Sequence, residues 1–186
     1  MRQIRKIMSY ANLKGKVIKY HGILQNTKDY REAWKKEIKT MIQEQLQAIM
    51  DETGLQASVE TKDDLHNLEA IGLDLGQDIS GITEQVGAAK RNFIKSKGML
   101  IYQQLFNGKI MISISYPFIE GLGQPKQPKM IEILRPEELE PPFILRHVEE
   151  FLKEIIAWED YDDDAPGQPI GFQNNLTKDI ITNPDS

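Results

Sequence analysis

The densest run of potential ligands is "DYDDDAPG", Asp160 to Gly167. Asp160, Asp162 and Asp164 stand at positions 1, 3 and 5 of a notional calcium loop. Such a loop also needs glycine at position 6 for its sharp turn and a bidentate glutamate at position 12. Those places hold Ala165 and Gly171, so the run reads as an acidic strip and not as an ion cage. The three histidines, His21, His66 and His147, lie in separate segments, without the spacing that sets two imidazoles on one helix face. His147 falls off the main apolar lines of its segment and reads as a surface residue. No metal site is expected.

Nucleophiles and cofactor loops fare no better. With no cysteine, the chain has no thiolate chemistry, disulfide or cysteine-ligated metal. Carboxylate pairs arise by chance among 28 acidic residues, and none sits in a strand-end cleft pattern suited to acid–base work. There is no G-x-S-x-G elbow, dinucleotide fingerprint or phosphate-cradling loop. "GLGQPK" is glycine-rich, but Pro125 and Pro128 block the helix that a phosphate loop must open into. No catalytic residue and no cofactor is expected, and the protein reads as non-enzymatic.

Charge is the stronger signal. The net charge of −5 over 186 residues hides a polar layout. Residues 1–28 carry Arg2, Arg5, Lys6, Lys14, Lys16, Lys19 and Lys28 with no acid, whereas residues 149–186 carry ten acids against Lys153 and Lys178. Ends of opposite sign suit partners of opposite charge. An apolar content of 40% with 27% charged residues is that of a globular chain able to bury a core. No run approaches the roughly 18 apolar residues of a membrane span, and the first residues lack a signal-peptide core. A cytoplasmic protein is the expectation.

The elements that carry these charges follow from periodicity. Residues 1–27 show no sustained period and read as a basic arm, with Val17, Ile18, Tyr20 and Ile23 able to make a short strand between Gly15 and Gly22. From Asp29 to about Glu52, Trp34, Ile38, Met41/Ile42, Gln45/Leu46 and Ile49 recur at helical spacing. Asp29 or Thr27 is the expected N-cap and Gly54 the left-handed stop. "LQASVET" alternates like a strand, while "DDLHNLEAIGLDLG" fits a short helix or a second strand. Residues 79–97 place Ile82, Val86, Ala89 and Phe93 on one side of an expected helix weakened by Gly81 and Gly87. "MLIYQQLFNGKIMISISY" reads as a β-hairpin on Asn107-Gly108 in a two-residue type I′ turn. That register faces Leu105 to Ile110, with Ile101, Leu105, Ile110, Ile112 and Ile114 inward and Tyr102, Gln104, Phe106 and Met111 outward. "MIEIL" is a third strand, "PEEL" a helical turn, and residues 143–160 a strongly amphipathic helix through Ile144, Val148, Phe151, Ile155 and Trp158.

The fold class is therefore α+β: an antiparallel meander of at least three strands packed by amphipathic helices, with extended terminal arms. The expected layout is a basic arm over 1–27, a single domain over 28–158 and an acidic, extended tail over 159–186. The expected function is a structural or adaptor subunit in a homo-oligomer or larger assembly, such as a ring or connector of a virion. Contacts fall to Arg2, Arg5, Lys6, Lys14, Lys16 and Lys19 on the arm, to Tyr102, Phe106 and Met111 on the hairpin, and to Asp160, Tyr161, Asp162, Asp163 and Asp164 on the tail. The alternative is a nucleic-acid-associated accessory protein whose basic head binds phosphates and whose acidic tail is autoinhibitory.

Overall fold

The computed structural model describes residues 10–161. Arg2, Arg5, Lys6, Asp162, Asp163 and Asp164 lie outside the described residues. The fold is α+β, with antiparallel sheets of five and three strands.

One helix runs almost without interruption from the start of the described chain. Helix α1 (Ala11–Ala33) passes through a π turn (Trp34–Ile38) into α2 (Lys39–Thr53). No proline precedes Pro117, so nothing breaks the i→i−4 ladder, and the expected strand around residues 17–23 is helical. Thr27 and Asp29 are consequently interior residues and not caps. Thr27 donates its hydroxyl back to the Ile23 carbonyl, and Asp29 accepts from Gln25 four residues earlier. The helix ends at Gly54, whose φ of 71° lets its N–H return to the Met50 carbonyl.

Strands β1 (Ser58–Lys62), β2 (Ala70–Asp74), β5 (Met99–Gln104), β6 (Ile110–Ser115) and β8 (Lys129–Leu134) form the larger sheet in the order β1-β2-β5-β6-β8. Strands β3 (Gln77–Val86), β4 (Ala89–Ser96) and β7 (Phe118–Ile119) form the smaller one. A 3₁₀ turn (Pro136–Glu138) precedes α3 (Pro141–Glu159). Helices α2 and α3 lie side by side on one face of the larger sheet. Trp34, Ile42, Leu46, Ile144 and Phe151 meet Ile71, Leu73, Leu100, Ile110, Ile112 and Ile114 in a single core.

The helix expected over 79–97 is instead the β3–β4 hairpin. Its β-branched residues Ile79, Ile82, Thr83 and Val86 favour extended backbone. Gly87 opens a two-residue turn at φ 62°, and Gly81 at φ 79° sits in a register shift between Ile79 and Thr83. The hairpin stands away from the core, with Phe93 its only buried side chain.

The Asn107-Gly108 hairpin exists but closes one residue differently. Gln104 pairs with Ile110, and the Gly108 N–H donates to the Leu105 carbonyl. Only Gly108 of the pair has positive φ, at 78°, so this is a three-residue loop with a glycine bulge and not a type I′ turn. A one-residue change reverses the first arm's faces. Tyr102 and Gln104 turn into the core, while Ile101 turns to the outer face of the sheet. Asn107 serves the loop by accepting the Lys109 N–H on its side chain.

Glycine is required where the two sheets join. The Lys97 N–H reaches the Gly76 carbonyl and the Leu75 N–H the Gly98 carbonyl, so β2–β3 and β4–β5 form one long ribbon bent at these glycines. Gly98 has φ 98°, and a Cβ there would lie 2.8 Å from Ile155 Cδ1 and 3.0 Å from the Ser115 carbonyl oxygen. Gly98→Ala is expected to lower unfolding free energy by about 2 kcal/mol or more through strain and overpacking. Urea denaturation monitored by tryptophan fluorescence reads it, and an unchanged midpoint would contradict the close packing of this bend.

Candidate interaction surface

The residues singled out from the sequence separate into three groups. Lys14, Lys16 and Lys19 are exposed on α1, and Asp160 and Tyr161 are exposed beyond α3. Phe106 is 74% exposed at the hairpin loop, and Met111 is half-buried on the outer sheet face. Tyr102 is removed from the surface altogether: it is fully buried, because the hairpin register differs by one.

Tyr102 belongs to a polar cluster that the spacing of α3 conceals. His147, expected at the surface, is fully buried. Its Nδ1 lies 3.2 Å from the Tyr102 hydroxyl and its Nε2 2.5 Å from Glu132 Oε1, and Arg146 pairs with the same carboxylate. Burial pushes the imidazole pKa below its ordinary value despite the Glu132 contact. Neutral His147 satisfies both neighbours, accepting from the tyrosine hydroxyl at Nδ1 and donating from Nε2–H to Glu132. Burial works to raise Glu132, but the His147 hydrogen bond and Arg146 outweigh it and hold the carboxyl low. Burial and the Glu132 charge push the Tyr102 phenol up, the reverse of what a nucleophile or base needs. The group fastens α3 to β8 and β5. The signal for His147 was its place three residues after Ile144 and four before Phe151, on the buried line.

Two further clusters have the same fastening role. Lys129 on β8 reaches Glu150 and Glu154 on α3, each at 2.6 Å, and Tyr116 donates to Glu154 at 2.6 Å. Burial and this carboxylate push the Tyr116 phenol up to about 12. The Trp34 indole N–H donates to buried Glu69 at 3.1 Å, and Lys39 bridges Glu69 to Asp63. Gln104 is fully buried, and neither atom of its amide has a partner among the described residues.

None of these clusters lines either of the two best-formed depressions among the described residues. The best-formed depressions among the described residues are open grooves elsewhere, one along Gln43, Gln47, Asp51 and Val59, the other between Tyr30, Glu37 and Pro136. No group of three or more histidine and carboxylate side chains among the described residues is placed to hold a metal ion. No described helix is long and apolar enough to cross a membrane.

The exterior carries more information. Every residue from Tyr10 to Asn26 is exposed, so about 25 Å of helix stands clear of the domain. Leu13, Val17, Tyr20 and Leu24 are 56, 44, 58 and 44% exposed and recur at spacings of four, three and four. That spacing is one a helix uses when it lies against another helix, and Ile18 and Ile23 are exposed on α1 away from that line. Continued at the same alternation, it passes Thr27 and Arg31 and arrives at Trp34, which is wholly buried. The bare stripe is thus the outward continuation of the stripe that builds the core. The helix is held where it leaves the domain. Arg31 donates to the Phe106 carbonyl at 2.7 Å, and Gly108 comes so close to Tyr30 that a Cβ would lie 2.7 Å from Tyr30 Cβ.

A second exposed stripe lies on α3, where Leu145 is 47% and Ile156 64% exposed. On the open face of the larger sheet, Ile133 pairs with Met111 and is 44% exposed. Comparison of the chain with protein-family models, curated proteins and solved structures finds no match to any of them.

The fastening cluster sets a pH dependence. His147 has a lower pKa folded than its ordinary 6.5, so below that pH the unfolded chain binds the extra proton first. Stability is therefore complete above the ordinary value and declines as pH falls through it, by at most about 1.4 kcal/mol per pH unit for one proton. Glu132, held low, adds a further decline below its ordinary 4.5. Denaturant midpoints measured from pH 7.5 to about 5.5 are expected to fall for the wild type. They should stay level for His147→Gln, which keeps both hydrogen bonds and cannot titrate. Parallel slopes would contradict the assignment of a neutral buried histidine.

Proposed function

We propose that this protein is a non-enzymatic structural subunit that works by assembling with further copies of itself, with α1 as its principal contact arm. The observation that carries the reading is the apolar stripe Leu13, Val17, Tyr20 and Leu24, in line with the buried residue Trp34 yet covered by nothing among the described residues. A helical segment of this length is marginal in water by itself, since helices in proteins draw most of their stability from packing one face. Burying four such side chains recovers roughly 1.5–3 kcal/mol for each aliphatic one. The polar clusters support the same reading, because each ties a helix to the sheet or to the segment entering it. The basic arm also bears on nucleic acid, since Lys14, Lys16 and Lys19 are exposed beside Tyr10 and Tyr20. The apolar seam among them favours a protein partner.

Light scattering of the full chain after size exclusion, at about 100 μM and at high dilution, tests the proposal, because self-assembly follows mass action. A defined multimer free of 260 nm-absorbing material, dissociating on dilution, is expected. A monomer at every concentration contradicts the proposal, and a species carrying nucleic acid replaces it with the phosphate-binding reading.

A further inference from the structure

We infer that the exposed stripe of α1 docks along the outer face of α3 in a second copy of this chain. The inference rests on the assembly reading above and names the two surfaces that meet.

The two faces agree in spacing and length. On α1 the stripe is Leu13, Val17, Tyr20 and Leu24. On α3 it is Leu145, Glu149, Leu152 and Ile156, with the same alternation of four, three and four residues. Each runs for twelve residues of helix, about 16 Å, so the side chains of one can interleave with those of the other over three turns. Leu145 and Ile156 are 47 and 64% exposed and Leu152 is half-buried, an apolar surface that the domain itself leaves open.

They also agree in charge. Residues 11–28 carry Lys14, Lys16, Lys19 and Lys28 with no acid. The α3 stripe includes exposed Glu149 and ends at Glu159, which Lys95 of β4 holds at 2.6 Å, and at exposed Asp160, with Lys153 beside it. A helix bearing only lysines is drawn to such a face and steered along it. Two α1 helices packed on each other would instead set Lys14, Lys16 and Lys28 of each copy beside one seam, which disfavours that pairing. The chain's own α3 is not the occupant. Helix α2 already lies against it, and α1 continues α2 through the π turn beyond the domain, clamped at Arg31 and Gly108.

Such a contact is heterologous: each copy gives α1 and receives at α3, so copies join head to tail until the chain of contacts closes. That asymmetry supplies the test. Val17→Gln with Leu24→Gln removes the donating face, and Leu145→Gln with Ile156→Gln removes the receiving face. All four positions are exposed, and no new charge is introduced. Each variant alone is expected to scatter as one chain, while an equimolar mixture forms a species of two chains through the one intact contact. Several other results would overturn the inference. Retention of the wild-type multimer by either variant places assembly on another surface and leaves the assembly reading standing. Two monomeric variants whose mixture stays monomeric exclude pairing between these faces. A wild-type monomer removes both proposals, and if the α1 variant then melts lower than wild type, the stripe is covered by the chain's own residues.

Discussion

The burial of Trp34 is the constraint on which the rest depends. Its indole is fully enclosed at the π turn between α1 and α2, and an enclosed indole N–H needs a partner. The partner is Glu69, itself nearly buried, and a buried carboxylate is tolerable only when it is paired. Lys39 supplies the charge and reaches onward to Asp63. One aromatic side chain thereby fixes the height of the long helix on the sheet and the course of the loop between β1 and β2. The wider i→i+5 turn at Trp34–Ile38 falls where the helix passes from bare to buried. Because the backbone continues unbroken, anchoring Trp34 also aims α1.

Helix α3 is placed by a different means. Its apolar line from Ile144 to Ile155 would let it slide along the sheet, since hydrophobic contact has little direction. His147 between Tyr102 and Glu132, and Lys129 between Glu150 and Glu154, remove that freedom with bonds that hold in one position only. In these groups the imidazole is held neutral by burial, the Tyr102 phenol is raised and the carboxylates are kept charged. Among the described residues, the outer face of α3 is left uncovered by the same geometry that fastens its inner face.

Where local chemistry decided the outcome, the sequence was readable. The spacing of four from Trp34 through Ile38, Ile42 and Leu46 specified α2, Gly54 its end, and the line from Ile144 to Ile155 specified α3. "MIEIL" and the Asn-Gly hairpin were strands as expected. The failures came where two local rules competed. Gly81 and Gly87 looked like defects in a helix but are the bulge and turn of a hairpin, because Ile82 and Val86, four residues apart, fit a 3.6-residue and a 2-residue period alike. Asn107-Gly108 permits two loop lengths, and the choice between them moved Tyr102 from a proposed contact surface into the core. The basic arm was recognised by charge, but its helical form was not, since α1 has no buried face of its own and inherits its conformation from the helix it extends. His147 was missed because it was read as lying off the apolar lines of α3, and its partners, Tyr102 and Glu132, are brought beside it by distant segments.

The stripe on α1 is the outward end of the core's own stripe, and we propose that its partner is a second copy of the chain. Amide hydrogen exchange of residues 14–26 in the full chain, followed from dilute to concentrated protein, addresses this most directly. Exchange that is fast when dilute and becomes protected as concentration rises, while α2 and α3 stay protected throughout, is the expected result. Protection of α1 that is already complete in the dilute monomer, or absent at every concentration, would contradict it.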